Sequence, residues 1–173
     1  MYSKYILLLF LTNLSFSYSQ INPKDVEIVR DSFGVPHIYG KTDADVAYGL
    51  AWSHAEDDFK TIQQGYLAGN GLLSKHIGIN GAGADFLTQL IESKETVDKL
   101  FGTLDPDFVK IIEAYSQGLN KYAETHPNEI LEKKLFPITP KKMTAYSFLQ
   151  LFIANEADKL VLSIINNKVP REN

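Results

Sequence analysis

Val26-Glu27-Ile28-Val29-Arg30-Asp31-Ser32-Phe33-Gly34-Val35-Pro36-His37-Ile38-Tyr39-Gly40 is the stretch from which the fold is read. Two runs rich in β-branched and aromatic residues, Val26 to Arg30 and Val35 to Tyr39, flank the turn cluster Asp31-Ser32-Phe33-Gly34, which is the pattern of a hairpin. Pro36 has no N–H to give to a ladder, so it belongs at a strand start or on an edge. A two-stranded sheet is marginal by itself, so this pair is expected to join a larger sheet.

Working outward, Thr42-Asp43-Ala44-Asp45 carries a capping hydroxyl with an acid three residues on, the variant of a capping box that opens a helix. Tyr48, Trp52, Ala55, Phe59, Ile62 and Tyr66 then recur at three- and four-residue steps, a buried stripe, and Gly69-Asn70-Gly71 is the stop. Residues 70–83 are glycine-rich and read as an irregular loop. A helix is expected from Asp85 to about Phe101, with Phe86, Leu90, Val97 and Leu100 apolar. Asp105-Pro106 places a capping acid before proline at the first helical position. The helix it starts has Phe108, Ile111, Ile112, Tyr115, Leu119 and Tyr122 inward and ends near His126-Pro127. Thr139-Pro140 repeats the signal for a last helix from Lys141 to about Asn166, apolar on more than one face, which points to burial on several sides or to a partner. The fold class is α+β: an N-terminal hairpin followed by four helices, in one domain.

The chain has 173 residues, 45% hydrophobic and 22% charged, with a net charge of −4. No basic patch suggests nucleic acid, and the lysines are too scattered for a polybasic membrane site. The first residues differ from the rest. Lys4 precedes an apolar run from Tyr5 to Leu14, and Ser17-Tyr18-Ser19 sets small residues three and one before Gln20, the pattern of a secretory signal over residues 1–19. The apolar run is about ten residues, whereas a spanning helix needs roughly 20. The mature domain is then 20–173, secreted or periplasmic, with no membrane association after the signal is cut. No cysteine is present, so neither a disulfide framework nor a thiolate metal site can form.

Trp52-Ser53-His54-Ala55-Glu56-Asp57-Asp58 concentrates a histidine and three acids. His54 and Asp58 stand four apart on one helical face. Metal ligation or an acid–base pair is one reading. A charged, solvated face is the other, and it is favoured because no second histidine stands at ligand spacing. Gly78-Ile79-Asn80-Gly81-Ala82-Gly83 lacks the preceding strand that a phosphate loop requires. No histidine lies in a nucleophile-elbow context.

The core Arg-Asp-x-x-Gly-Val-Pro-His-Ile of residues 30–38, followed by Ala47-Tyr48-Gly49-Leu50-Ala51-Trp52-Ser53-His54-Ala55-Glu56-Asp57-Asp58-Phe59, resembles the opening strands and first helix of the penicillin acylase family of N-terminal-nucleophile hydrolases. Looser likeness extends through most of residues 25–160. The resemblance implies an exported precursor that cleaves itself into two chains and a four-layer αββα sandwich. In that fold the serine at the head of the second chain, its own α-amine acting as base, attacks an amide carbonyl. It further implies that this chain is the α-chain, incomplete without its β-chain, with no catalytic residue of its own and inactive alone. No Gly-Ser junction follows Pro170-Arg171-Glu172-Asn173. The alternative is a non-catalytic exported helical domain that binds a partner, or a remnant.

In penicillin G acylases the acyl-pocket run on the last α-chain helix reads Met-Ala-Asn-Arg-Phe, and Ile153-Ala154-Asn155-Glu156-Ala157 matches it. The substrate-binding candidates are therefore Ile153, Asn155, Glu156 and Ala157. Alanine in place of the aromatic is expected to lengthen the pocket towards fatty-acyl amides, as in acyl-homoserine-lactone or aculeacin acylases. The calcium glutamate of some relatives falls near Ser163, a poor ligand. No cofactor and no metal are expected on this chain, with Glu156 or Asp158 as fallback ligands, and calcium in a complete enzyme would be held mainly by the other chain.

Overall fold

The computed structural model describes residues 20–156, 159, 160 and 163. The expected signal over 1–19 lies outside them, as do Ala157, Asp158 and the tail of the last expected helix.

The hairpin forms as its sequence dictates. Strand β1 (Glu27–Arg30) pairs antiparallel with β2 (Pro36–Tyr39), in register Glu27 to Tyr39 and Arg30 to Pro36, so the proline opens its strand. The Asp31 carboxylate builds the turn. Its Oδ1 accepts from the Phe33 and Val35 amides at 2.9 and 3.0 Å, and its Oδ2 lies 3.3 Å from His37 Nε2. An aspartate that bonds the backbone two residues on is the usual chemistry of such turns. Val26, Ile28 and Ile38 face the first helix, packing against Gly49. The other face carries Val29 and Tyr39, with Phe33 and Val35 near the turn, all exposed; Phe33 is 90% exposed.

Six α-helices follow among the described residues: α1 (Asp43–Gly69), α2 (Ser74–Ile77), α3 (Ile79–Leu90), α4 (Ser93–Leu100), α5 (Pro106–Thr125) and α6 (Pro140–Ala154). Three begin with the caps their sequences announce. Thr42 and Asp45 close a full capping box, Asp105 accepts from the Asp107 and Phe108 amides, and Thr139 accepts from Lys142 N–H. Each cap satisfies amides that would otherwise lack a partner at a helix start.

The core is the packing of α1 against α5 and α6. Ala51, Ala55, Phe59, Leu67, Leu119, Tyr122, Ala123, Leu135, Ile138 and Met143 are buried together. The two long helices approach closely because Gly118 has no side chain: a Cβ there would sit 2.4 Å from the Tyr48 carbonyl oxygen. Two side-chain amides, Gln63 buried and Asn120 half-buried, lock the connections. Gln63 Nε2 donates to the Phe59 and Glu129 carbonyls while its Oε1 accepts from Leu131 N–H. Asn120 exchanges both bonds with Ile138, each 2.8 Å. A buried amide with its donors and acceptor paired fixes a loop without leaving an orphan polar group.

Four expectations need correction. Residues 74–83, read as an irregular loop, are helical: α2 and α3 are separated only at Gly78, whose φ is +65°. Asp85, from the second turn of α3, reaches back to accept from the Leu73 and Ser74 amides and the Ser74 hydroxyl. That long-range cap supplies what the local sequence lacks. The single helix expected over 85–101 breaks at Glu92, which has φ +48°. Phe108 on α5, expected inward, is exposed, as are the apolar Phe86, Leu90 and Leu100. Finally, the last expected helix is interrupted: α6 ends at Ala154 with Asn155 as its C-cap and Glu156 at φ +62°, and residues 159, 160 and 163 are helical again beyond the break.

Candidate functional site

The two quoted sequence stretches are one physical unit. Arg30, at the end of β1, donates through Nη1 to Gly34 O at 2.8 Å and through Nη2 to Glu56 at 3.1 Å, and it pairs with Asp57 at 2.8 Å. Nη2 also reaches the Ser53 carbonyl at 3.4 Å. The Glu56 bond, opposed by desolvation and helped by Asp57, raises the Arg30 pKa above its ordinary value. The other Glu56 oxygen accepts from Trp52 Nε1 at 2.8 Å, and the Trp52 ring stands edge-on to Tyr122 of α5. A guanidinium holding two acids and two carbonyls uses the fork geometry that distinguishes arginine from lysine. Its effect is to strap the hairpin to α1.

His54 and Asp58 do not act together. Non-helical angles at Asp58 (φ −159°, ψ 72°) kink α1, and the Asp58 carboxylate caps the second half by accepting from Thr61 N–H at 3.0 Å. His54 instead has Nδ1 2.8 Å from the hydroxyl of Tyr115 on α5. Burial pushes the Tyr115 phenol up to about 12, so it stays protonated and holds this contact across the neutral range. The acids of the stretch are thus half exposed but engaged. Sequence spacing missed the Arg30 partnership because it spans 26 positions; the signal present was the co-occurrence of an arginine ending one strand and adjacent acids on the next helix.

Among the serines, Ser53 is fully buried, and its hydroxyl has no partner among the described residues. Ser163 donates to Leu160 O at 2.7 Å.

The expected acyl wall lies at the end of α6. Ile153 is 38% exposed, beside the exposed Leu151, and Phe148 and Phe152 stack edge to face at 5.2 Å. Asn155 turns its side-chain amide onto Leu151 O at 2.7 Å, and Glu156 pairs with Lys159 at 2.6 Å. Ile153, Asn155 and Glu156 are therefore adjacent on an open surface, while Ala157 is outside the described residues. The same end tests the calcium expectation. The Ser163 hydroxyl is committed to its own helix, Glu156 is paired with a lysine, and the described residues contain no group of three histidines or acids arranged to hold a metal ion. These residues do not fit a calcium ion, which needs several oxygen ligands.

A groove of about 900 Å³ lies between the N-terminal segment and α5, with Gln20, Ile21, Tyr48, Glu113, Lys121 and Glu124 among its walls. Burial raises the Glu113 pKa. The groove also touches Thr139 to Lys141 at the start of α6, so roughly 20 Å of helix separates it from the Ile153 surface. No described helix is long and apolar enough to cross a membrane.

Comparison with known proteins places this geometry. A family profile described as penicillin amidase matches residues 25–169. Penicillin G acylase of Escherichia coli is 23% identical over 140 residues, covering 78% of this chain but 16% of that protein. An acyl-homoserine lactone acylase of Pseudomonas savastanoi pv. phaseolicola is 24% identical over 103 residues, covering 55% and 13%. A Pseudomonas protein named penicillin acylase 2 proenzyme is 26% identical over 97 residues, covering 56% and 12%. The chain thus spans about a sixth or less of these relatives. A solved thermostable penicillin G acylase from Alcaligenes faecalis superposes with a TM-score of 0.62 at 20% identity, over 73% of this chain and 72% of that one. A mostly helical body with one strapped hairpin, and a profile match over most of its length, lead to one conclusion: the chain belongs to the penicillin amidase family.

Proposed function

We propose that the chain is the N-terminal part of an exported amide hydrolase, supplying scaffold and one wall of the acyl pocket, and that the reacting groups lie in further polypeptide. The observation that carries this is the hairpin: strapped to α1 on one side, it leaves Val29, Phe33, Val35 and Tyr39 uncovered on the other. Two strands with an apolar open face require more sheet. The similar coverage of both chains in the Alcaligenes faecalis comparison supports the same view, because it implies a separate chain of nearly this length in a penicillin G acylase. One relative's name, proenzyme, fits a product matured by cutting.

In this reading the nucleophile is a serine heading a second chain, with its α-amine as base. Attack on the amide carbonyl gives an acyl-enzyme and releases the amine, and water then frees the acid. The first chain alone is inactive: its described serines are all internal to the chain and carry no free α-amine. Its contribution to substrate is the α6 end, where Ile153 offers an apolar contact and Asn155 and Glu156 the polar margin. Alanine at 157, in place of an aromatic, favours long fatty-acyl amides over phenylacetyl ones.

The test is to express the gene product with all residues that follow Asn173 and, separately, the 173-residue chain, and to assay both on amides of graded acyl length. Hydrolysis by the longer product only, fastest on long acyl chains, is expected. Hydrolysis by the 173-residue chain alone contradicts the assignment of the chemistry, and a preference for phenylacetyl contradicts the pocket.

A further inference from the structure

We propose that Gln20 becomes the N-terminal residue of the exported chain and closes on itself as a pyroglutamyl lactam. The inference rests on the export reading, in which the cut falls between Ser19 and Gln20. What the structure adds is how the residues that follow Gln20 are held. Ile21 is half-buried and its N–H donates to Gln117 Oε1 on α5 at 2.9 Å. Asn22 caps the 3₁₀ turn Pro23–Asp25 by accepting from Lys24 N–H at 3.2 Å, and its amide donates to Asp25 at 3.1 Å. Gln20 is exposed at the rim of the groove, and among the described residues no group bonds its side chain. The residue freed by the cut is therefore the one residue of this segment left outside the anchoring.

The chemistry is internal and balanced. The α-amino nitrogen bonds to the side-chain Cδ, the bond from Cδ to Nε2 breaks, and ammonia leaves with a proton from the amine. No oxidant or second substrate is consumed. The attack closes a five-membered ring, so the amine meets the carbonyl at the high effective concentration of an intramolecular reaction. An α-amine has a pKa of about 8, leaving roughly a tenth of it neutral and nucleophilic near pH 7. The ring does not involve the peptide bond from residue 20 to 21, so the Ile21 to Gln117 bond survives closure. The lactam removes the terminal ammonium beside a groove walled by Glu113, Lys121, Glu124 and Lys141. It also leaves aminopeptidases no free amine.

The reading frame is expressed with its own leader in an exporting bacterium, and the exported protein is collected, quenched cold and treated with an amine-blocking reagent before digestion. The N-terminal peptide is then read by mass spectrometry. Expected is a peptide starting at residue 20, lighter than its glutamine form by one ammonia and unlabelled, and opened by a pyroglutamate-specific peptidase. Gln20→Ala is expected to yield the same cut with a labelled amine, and Gln20→Glu a mostly labelled one. A peptide starting at Gln20 that carries the label overturns the lactam while leaving export standing. A peptide starting elsewhere overturns both the lactam and the cut between Ser19 and Gln20.

Discussion

The helical block and the hairpin satisfy their polar and apolar groups in different ways. In the block, α1, α5 and α6 share a continuous core, and the buried Gln63 and half-buried Asn120 pair their amides across loops. The hairpin has one turn aspartate, one arginine strap and one packed face, and its opposite face meets nothing described. The block is finished by this sequence, whereas the hairpin is finished only on the side that touches α1. Changes in the block are therefore expected to be costly in the chain alone, and changes at the hairpin mild.

The sharpest contrast uses the same substitution in both places. Gly118→Ala drives a methyl into the Tyr48 backbone carbonyl, which cannot swing away. Its cost is expected to be about 3 kcal/mol, measured by urea unfolding. Asn120→Ala strands the amide and carbonyl of Ile138, itself 1% exposed, and is expected to cost about 2 kcal/mol. Gly49→Ala meets the γ-carbons of Ile38 and Val26 at 2.6 and 2.8 Å, side-chain rather than backbone atoms, on a two-stranded hairpin that can move away as a unit because its outer face is open. Its net effect is expected within about 1 kcal/mol, since alanine also favours the helix. A Gly49→Ala cost equal to that of Gly118→Ala breaks the distinction between the regions.

Ser53→Ala removes a fully buried hydroxyl that has no partner. Stability is expected to be unchanged or to rise by less than about 1 kcal/mol; a clear loss shows that the hydroxyl is engaged. The mildest effect is acid loosening of the turn. The His37 contact, followed by the Val35 and Phe33 amides, holds the Asp31 pKa below its ordinary 3.8. Its stabilisation is complete above that value and is lost as pH falls through the lower folded one. Amide exchange at Phe33 and Val35 should accelerate only in strong acid while α5 amides remain slow, and Asp31→Asn should remove that acid step.

The same contrast explains what the sequence disclosed. Elements whose signals are local were legible: the hairpin with Pro36 at a strand start, the Thr42 capping box, and Asp105-Pro106 and Thr139-Pro140 opening α5 and α6. Elements set by distant partners were not. Residues 74–83 are helical because Asp85 caps from the far side of a glycine, and α1 kinks because Asp58 turns its carboxylate to Thr61. Of the site, both stretches were recognised, but the Arg30 to Glu56 and Asp57 strap that unites them spans too many positions for periodicity to disclose. The α6 end was placed by resemblance, and its break at Glu156 follows no pattern in the local residues.

The most direct test compares side-chain labelling of Phe33, Val35 and Tyr39 in the 173-residue chain with that in the product carrying all following residues. The account predicts strong labelling in the first, protection in the second, and no change at Leu119 and Tyr122. Equal labelling of the hairpin in both proteins contradicts it.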